Sequence, residues 1–178
     1  MSEAKRKLAA IVFTDIVGFT KLMSKNEKAA MSLIEKQRRL LQPIVENFQG
    51  VWLKELGDGT LSSFPSAVQA VTCALEIQRI LEHDPKLKVR IGIHIGDIIK
   101  KDGDVFGDGV NIASRLEPLA EPGGICVSER VYEDIRNKPE INSAFQDEQI
   151  LKGLDRPIKV YSVFTKIGVN PIQDSQKK

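Results

Sequence analysis

Six polar residues spread along the chain have types and positions that can do chemistry: Asp15, Lys54, Asp58, Asp104, Asn111 and Arg115. They fall in three segments, FTDIVGFT (13–20), WLKELGDGT (52–60) and GDVFGDGVNIASRL (103–116). Each sits at a turn, a strand end or a helix start, where a packed scaffold commonly presents its working groups. Asp15 and Asp58 offer two carboxylates to a hard divalent cation such as Mg²⁺, which takes oxygen ligands and completes its shell with phosphate oxygens. Lys54 and Asp104 offer a donor and an acceptor to a base. Asn111 and Arg115, four apart on a helix, share a face and can hold phosphate charge. Together the set points to chemistry on a nucleoside triphosphate.

Taken singly, each residue also has an ordinary structural reading. Asp15 can be a helix N-cap and Asp58 a turn residue. Gly18 beside Asp15 favours a functional reading, because a bare backbone lets N–H groups approach phosphate. Lys54 follows Val51, Trp52 and Leu53, so its charge lies on a solvated face or is aimed at something. Asp104 belongs to a turn with Asp102 and Gly103. Asn111 and Arg115 can be a surface cap and a surface salt bridge. Arg90, among apolar residues on a strand, is either a snorkelling edge side chain or a second phosphate clamp. His94 on the same strand reads as a satisfied interior histidine. Lys152, before the last strand, is a further candidate. DGDVFGD lacks the spacing and the bidentate Glu of an EF-hand loop.

The elements that must position these residues follow from periodicity and punctuation. Residues 8–14 read as a buried strand ending at Asp15. Ser24 and Glu27 have capping-box spacing before a long helix, with Ala30, Leu33, Ile34, Leu41, Ile44, Val45 and Phe48 at helical intervals. Pro43 is expected to kink it and Gly50 to end it. Strands at 51–56 and 59–64 flank Gly57-Asp58-Gly59, a strong hairpin signal. Pro65 is expected in the first turn of a helix over 65–82. The sequence VRIGIHIG (89–96) reads as a strand whose glycines allow close backbone approach. A helix at 108–120, a strand at 125–127, a helix at 128–135 and strands at 144–151 and 157–164 complete the order. Strand, helix, strand, strand, helix, strand describes a ferredoxin-like βαββαβ sandwich of the α+β class with C-terminal additions. The helices are expected on one sheet face, leaving an edge or loop side for a ligand or partner chain.

The bulk numbers are compatible with this. The 178 residues suffice for one domain, and 42% hydrophobic with 28% charged residues is ordinary for a soluble one. A net charge of +2 argues against nucleic acid as a partner. The longest apolar run, LAAIVF (8–13), is far too short for a membrane span, and MSEAKRK at the start carries no apolar signal region. Cys73 and Cys126 read as reduced core thiols, which points to the cytoplasm.

In this order, FTDIVGFT, KELGDG, RIGIHIGD and DVFGDGVNIASRL closely resemble the catalytic domain of class III adenylate cyclases. The resemblance covers residues 8–164, leaving a polar segment at 1–7 and a polar, mobile tail at 165–178. It implies the class III nucleotidyl cyclase fold, a homodimer, and conversion of ATP to 3′,5′-cyclic AMP and pyrophosphate with two Mg²⁺ or Mn²⁺ per active site. The metal positions it implies are Asp15, Ile16 and Asp58. Lys54 and Asp104 match the adenine-reading pair, and Asn111 and Arg115 the transition-state pair. Arg90 and Lys152 match triphosphate contacts, with Gly18, Phe19 and Thr20 also on the substrate.

Guanylate cyclases of the family usually carry Glu and a small residue at the Lys54 and Asp104 positions, so this chain resembles the ATP enzymes. Asp104 follows Asp97 by seven residues, a short excursion that resembles a bacterial subgroup with a reduced dimerisation arm. In the family, Asp15, Asp58 and Arg90 come from one chain, and Lys54, Asp104, Asn111, Arg115 and Lys152 from the other. The rival within the family is an inactive regulatory copy. Such copies usually lose part of the set that this chain keeps. A regulatory domain outside this chain is a further expected partner.

Overall fold

Alternation along the first strand decides the layering. In a computed structural model of the chain, which describes residues 4–165, β1 spans Lys5–Ile16. Ala10 and Val12 point to one side and Ala9 and Ile11 to the other, and all four are buried. A central strand buried on both faces needs cover on both.

The chain continues as α1 (Phe19–Lys25), α2 (Glu27–Asn47), β2 (Val51–Leu56), β3 (Gly59–Phe64), α3 (Ala67–Leu81) and β4 (Val89–Lys101). Then follow β5 (Asp104–Phe106), α4 (Asp108–Leu116), a 3-10 turn (Glu117–Leu119), β6 (Ile125–Ser128), α5 (Glu129–Ile135), β7 (Ile141–Gln149) and β8 (Ile158–Thr165). The sheet order is β2-β3-β1-β4-β6-β8-β7, with β5 paired to β4. Among the first four strands every neighbouring pair is antiparallel, which is the ferredoxin-like core. To it β6 adds parallel to β4, and β8 and β7 add antiparallel beyond.

On the first face Ala10, Val12, Ile91 and Ile93 pack with Leu41 and Val45 of α2, Val71 and Ile77 of α3, and Val131 and Ile135 of α5. The expectation that all helices share this face fails for α4. Val110 and Ala113 of α4 lie on the second face with Ala9, Ile11, Leu61, Ile98 and Val105. The glycines of β4 make this possible. A Cβ at Gly92 would stand 2.6 Å from the Ala113 carbonyl oxygen, and one at Gly96 2.9 Å from Gly109 Cα. The close approach expected of these glycines is therefore the seat of α4.

Several boundaries differ from the sequence reading for local reasons. Asn26, not Ser24, caps α2: its Oδ1 accepts from the Ala29 N–H at 3.0 Å, while Ser24 Oγ donates to the Lys21 carbonyl in α1. Non-helical backbone at Asn26 splits the segment into two helices. Ser66 caps α3 by accepting from the Gln69 N–H, so Pro65 stands before the cap rather than in the first turn. The end of α2 agrees with the reading: the helix runs through Pro43 to Asn47, before Gly50. The helix at α4 stops at Leu116 and tightens into the 3-10 turn around Pro118.

Both β1 and β4 extend past their apolar runs because Lys5, Arg6 and Lys7 pair with Lys100, Ile99 and Ile98. Asp102 and Gly103, with φ of 53° and 78°, turn β4 into β5. Positive φ at both central residues suits a tight hairpin. Cys73 and Cys126 are free and buried, and burial pushes both thiols up to about 12. Among the described residues no helix is long and apolar enough to cross a membrane. The polar tail expected after residue 165 lies outside the described residues.

Candidate active site

Asp15 stands at the end of β1, opposite Arg90 of β4, and Asp58 at the tip of the β2–β3 turn. One amide gathers the two acids. The Ile16 N–H donates to Asp15 Oδ1 at 2.9 Å and to Asp58 Oδ2 at 3.0 Å. Burial, followed by a hydrogen bond to and the charge of the Asp15 carboxyl, pushes Asp58 up to about 7. Asp15 is also raised, first by burial and then by the Glu117 carboxyl, while its bond with Asp58 works the other way. Two crowded carboxylates resist joint ionisation, and positive charge between them relieves that resistance.

Glu117 is a third acid in this corner, which the sequence reading did not single out. It is 3% exposed and hydrogen-bonds Asp15. Burial raises its carboxyl, and the Asp15 bond and the Arg90 charge hold it down in part. A signal was available: Val110, Ala113 and Glu117 recur at helical spacing, which places a charge on the apolar stripe of α4. Arg90 lies on an interior strand, between β1 and β6, so the snorkelling-edge reading does not apply. Its Nε donates to the Ala120 carbonyl at 3.0 Å.

The donor set fits a hard divalent cation, since every side-chain ligand on offer is a carboxylate oxygen. Among the described residues no group of three or more His, Cys, Asp or Glu is arranged to hold a metal ion. An ion here therefore draws part of its shell from a substrate or water.

A β-bulge places Lys54. Trp52 pairs with Ser62 but Lys54 with Leu61, so β2 spends one extra residue there. Such an insertion shifts the alternation and re-aims the following side chain. Without it Lys54 would share the α2 face with Trp52. Instead it follows Leu61 to the second face, where its Nζ reaches Asp104 Oδ1 at 2.9 Å and the Val105 carbonyl at 3.0 Å. The alternation has recovered on the α2 side: Glu55 accepts from Arg38 at 2.7 and 2.8 Å and from the Trp52 indole at 3.2 Å. Asp104 is held below the usual carboxylate range by its hydrogen bond with Lys54, aided by the Val105 N–H. Lys54 is partly exposed and Asp104 largely so, which puts the pair at the protein surface.

On α4, Ile112 and Leu116 turn inward beside Cys126, Leu151 and Val160, as their spacing predicts. Asn111 is exposed and Arg115 half-buried. Among the described residues Arg115 forms no salt bridge. The loop before β8 passes its guanidinium, since a Cβ at Gly153 would stand 3.4 Å from Arg115 Nη1. Lys152, exposed, is the preceding residue.

Gly18, with φ of 76°, turns the chain into α1. Phe19 packs against the first core and Thr20 is exposed. His94 is the interior histidine expected: its Nδ1 lies 2.7 Å from Ser128 Oγ, and burial with the Arg130 charge lowers it to about 4.

Known proteins share this fold. The family model for the adenylate and guanylate cyclase catalytic domain matches residues 1–165. A Rhizobium meliloti relative that carries an adenylate cyclase name is 37% identical over 166 residues, 89% of this chain and 28% of its own length. The crystal structure of an adenylate/guanylate cyclase/hydrolase from Silicibacter pomeroyi is similar at TM-score 0.84 and 38% identity, covering 91% of this chain and 99% of that one. The adenylyl cyclase CyaB from P. aeruginosa is similar at TM-score 0.80 and 27% identity, with 96% and 98% covered. Guanylyl cyclase domains are also among the solved neighbours. The chain spans about a third or less of the length of the first curated relatives it matches, 28% and 34%. The chain belongs to the adenylate and guanylate cyclase catalytic domain family.

Proposed function

We propose that the chain is an adenylate cyclase, converting ATP to 3′,5′-cyclic AMP and pyrophosphate at two equivalent sites between two copies. The observation that carries the choice of ATP is the Lys54–Asp104 pair, joined at 2.9 Å by the bulge in β2. Lys54 donates to adenine N1, and Asp104 accepts from the adenine 6-amino group. Guanine presents the opposite pattern and leaves both side chains mismatched, which a polar site rejects strongly.

Asp15 and Asp58, with Ile16 between them, are the residues to hold two divalent ions. When bound, such ions supply charge that steadies the attacking and departing oxygens. The ribose 3′-oxygen forms a bond to the α-phosphorus, and the bond from that phosphorus to the bridging oxygen of pyrophosphate breaks. The 3′-hydroxyl proton leaves to solvent or a neighbouring acceptor. Asn111 and Arg115 face the reacting phosphate, where directed N–H groups stabilise charge as it builds. Arg90 and Lys152 hold the departing phosphates, and the Gly18–Phe19–Thr20 turn borders them.

Two copies are required because Asp15, Asp58 and Arg90 serve a site whose remaining groups come from the partner. A twofold axis makes the exchange reciprocal. Regulation by segments outside this chain fits its being only part of the length of its relatives.

The test is product formation from ATP and from GTP with Mn²⁺. Wild type is expected to make cyclic AMP and little cyclic GMP. Lys54→Glu with Asp104→Cys is expected to cut ATP use by tenfold or more, on the order of what mismatched polar sites exact. A double variant with wild-type rate and ATP preference would refute the base-reading assignment.

A further inference from the structure

The polar residue least explained by its surroundings is Gln37. It is 1% exposed and sits on the apolar stripe of α2, four residues from Leu33 and from Leu41. A Met or Leu there would continue the core without needing partners. Gln37 instead spends both ends of its amide on the two segments that bear the acids. Its Nε2 donates to the Asp58 carbonyl at 2.9 Å. Its Oε1 accepts from Thr14 Oγ1 at 3.4 Å, and Thr14 is the residue before Asp15. Thr14 Oγ1 in turn lies 2.6 Å from Thr60 Oγ1, its partner across β1 and β3. Thr14 and Thr60 are each 2% exposed. With Thr14 donating to Gln37, the Thr60 hydroxyl donates to Thr14, and the relay ends on the Asp58 carbonyl.

We infer that Gln37, through Thr14 and the Asp58 carbonyl, is a positioning residue that fixes the spacing of the Asp15 and Asp58 carboxylates for a divalent cation. The inference rests on the reading of those two acids as ion ligands. The Asp58 turn needs such an anchor because it is flanked by Gly57 and Gly59, with Gly57 at φ 62°. Glycines leave a turn many conformations unless something outside it chooses one. A carbonyl bond from the helix beneath chooses one. Buried hydrogen-bond networks hold geometry well when every member is satisfied. Among the described residues no buried side-chain polar atom lacks a partner.

The experiment measures Mn²⁺ affinity from the free Mn²⁺ paramagnetic resonance signal at a fixed concentration of 3′-deoxy-ATP, which lacks the attacking hydroxyl, with the ion held by the nucleotide alone subtracted from a titration without protein. Gln37→Met keeps the volume and removes both bonds. It is expected to weaken Mn²⁺ binding roughly tenfold, as loss of a partner behind a ligand commonly does. Thr14→Val, isosteric and well suited to a strand, is expected to weaken it severalfold and decides the matter if Gln37→Met does not fold. Ile135→Val, a core change on α5, is the control that loses stability and keeps the affinity. Activity of Gln37→Met should recover at high Mn²⁺, showing KM-type loss for the ion rather than a damaged fold. Unchanged affinity in the folded variants overturns the inference. If Asp58→Asn also binds Mn²⁺ as wild type does, the carboxylate pair is not the ion site and the metal reading falls with it. If Asp58→Asn loses the ion while Gln37→Met and Thr14→Val keep it, the inference alone falls.

Discussion

Asp58→Asn should abolish turnover and, without metal, make the protein more stable at pH 8. Asp58 is pushed from 3.8 to about 7 by burial and by the Asp15 carboxyl. A group whose folded value lies above its unfolded one gives stability that is fully present at low pH. That stability is lost as pH rises from the unfolded value through the folded one. At pH 8 the wild-type pair is ionised and strained, and at pH 4 it is not. A shift of this size corresponds to about 4 kcal/mol as an upper bound. Asp58 is partly open to water, so screening leaves on the order of 1–2 kcal/mol. Asn keeps an oxygen for the Ile16 N–H and removes the charge. For a chain of this length, the gain is a rise in Tm of roughly 3–6 °C at pH 8, shrinking towards nothing near pH 4. Thermal melts in chelator at both values give the answer. A variant that melts at or below wild type at pH 8 would show that the two acids do not strain the fold.

Other substitutions test the packing. Gly92→Ala forces a methyl against the Ala113 carbonyl, 2.6 Å from where it would lie; denaturant melts should show a loss of about 1–3 kcal/mol. Asn26→Ala removes the oxygen that accepts from the Ala29 N–H and should cost about 1 kcal/mol, read the same way.

The four-stranded core was legible because its strands are apolar runs bounded by turn residues, with Gly57-Asp58-Gly59 marking the hairpin. Asp15 and Asp58 were legible as neighbours because that hairpin must lie beside β1. The orientation of Lys54 was not. The alternation Trp52, Leu53, Lys54 points it to the α2 side, and only the bulge against Leu61 turns it to Asp104. A bulge depends on which strand lies next door, which local propensity does not encode. The position of α4 was half legible: Gly92 and Gly96 announced a close approach, and the face approached emerged only from the fold. Glu117 and Gln37 were overlooked for the opposite reason. Each is a polar residue on an otherwise apolar helical stripe, and both go to the acidic corner. Polar residues in such a stripe are worth reading as candidates, because burial makes them need partners.

The shared-site cyclase is tested most directly by mixing two dead variants, Asp15→Ala and Asn111→Ala, and measuring cyclic AMP from ATP and Mn²⁺. In a mixed dimer one site collects both defects and the other has neither. With equal amounts and random pairing, half of the dimers are mixed and each has one intact site of two. Activity should therefore return to roughly a quarter of wild type, while each variant alone stays inactive. Heterodimers that form and make no cyclic AMP would contradict the account.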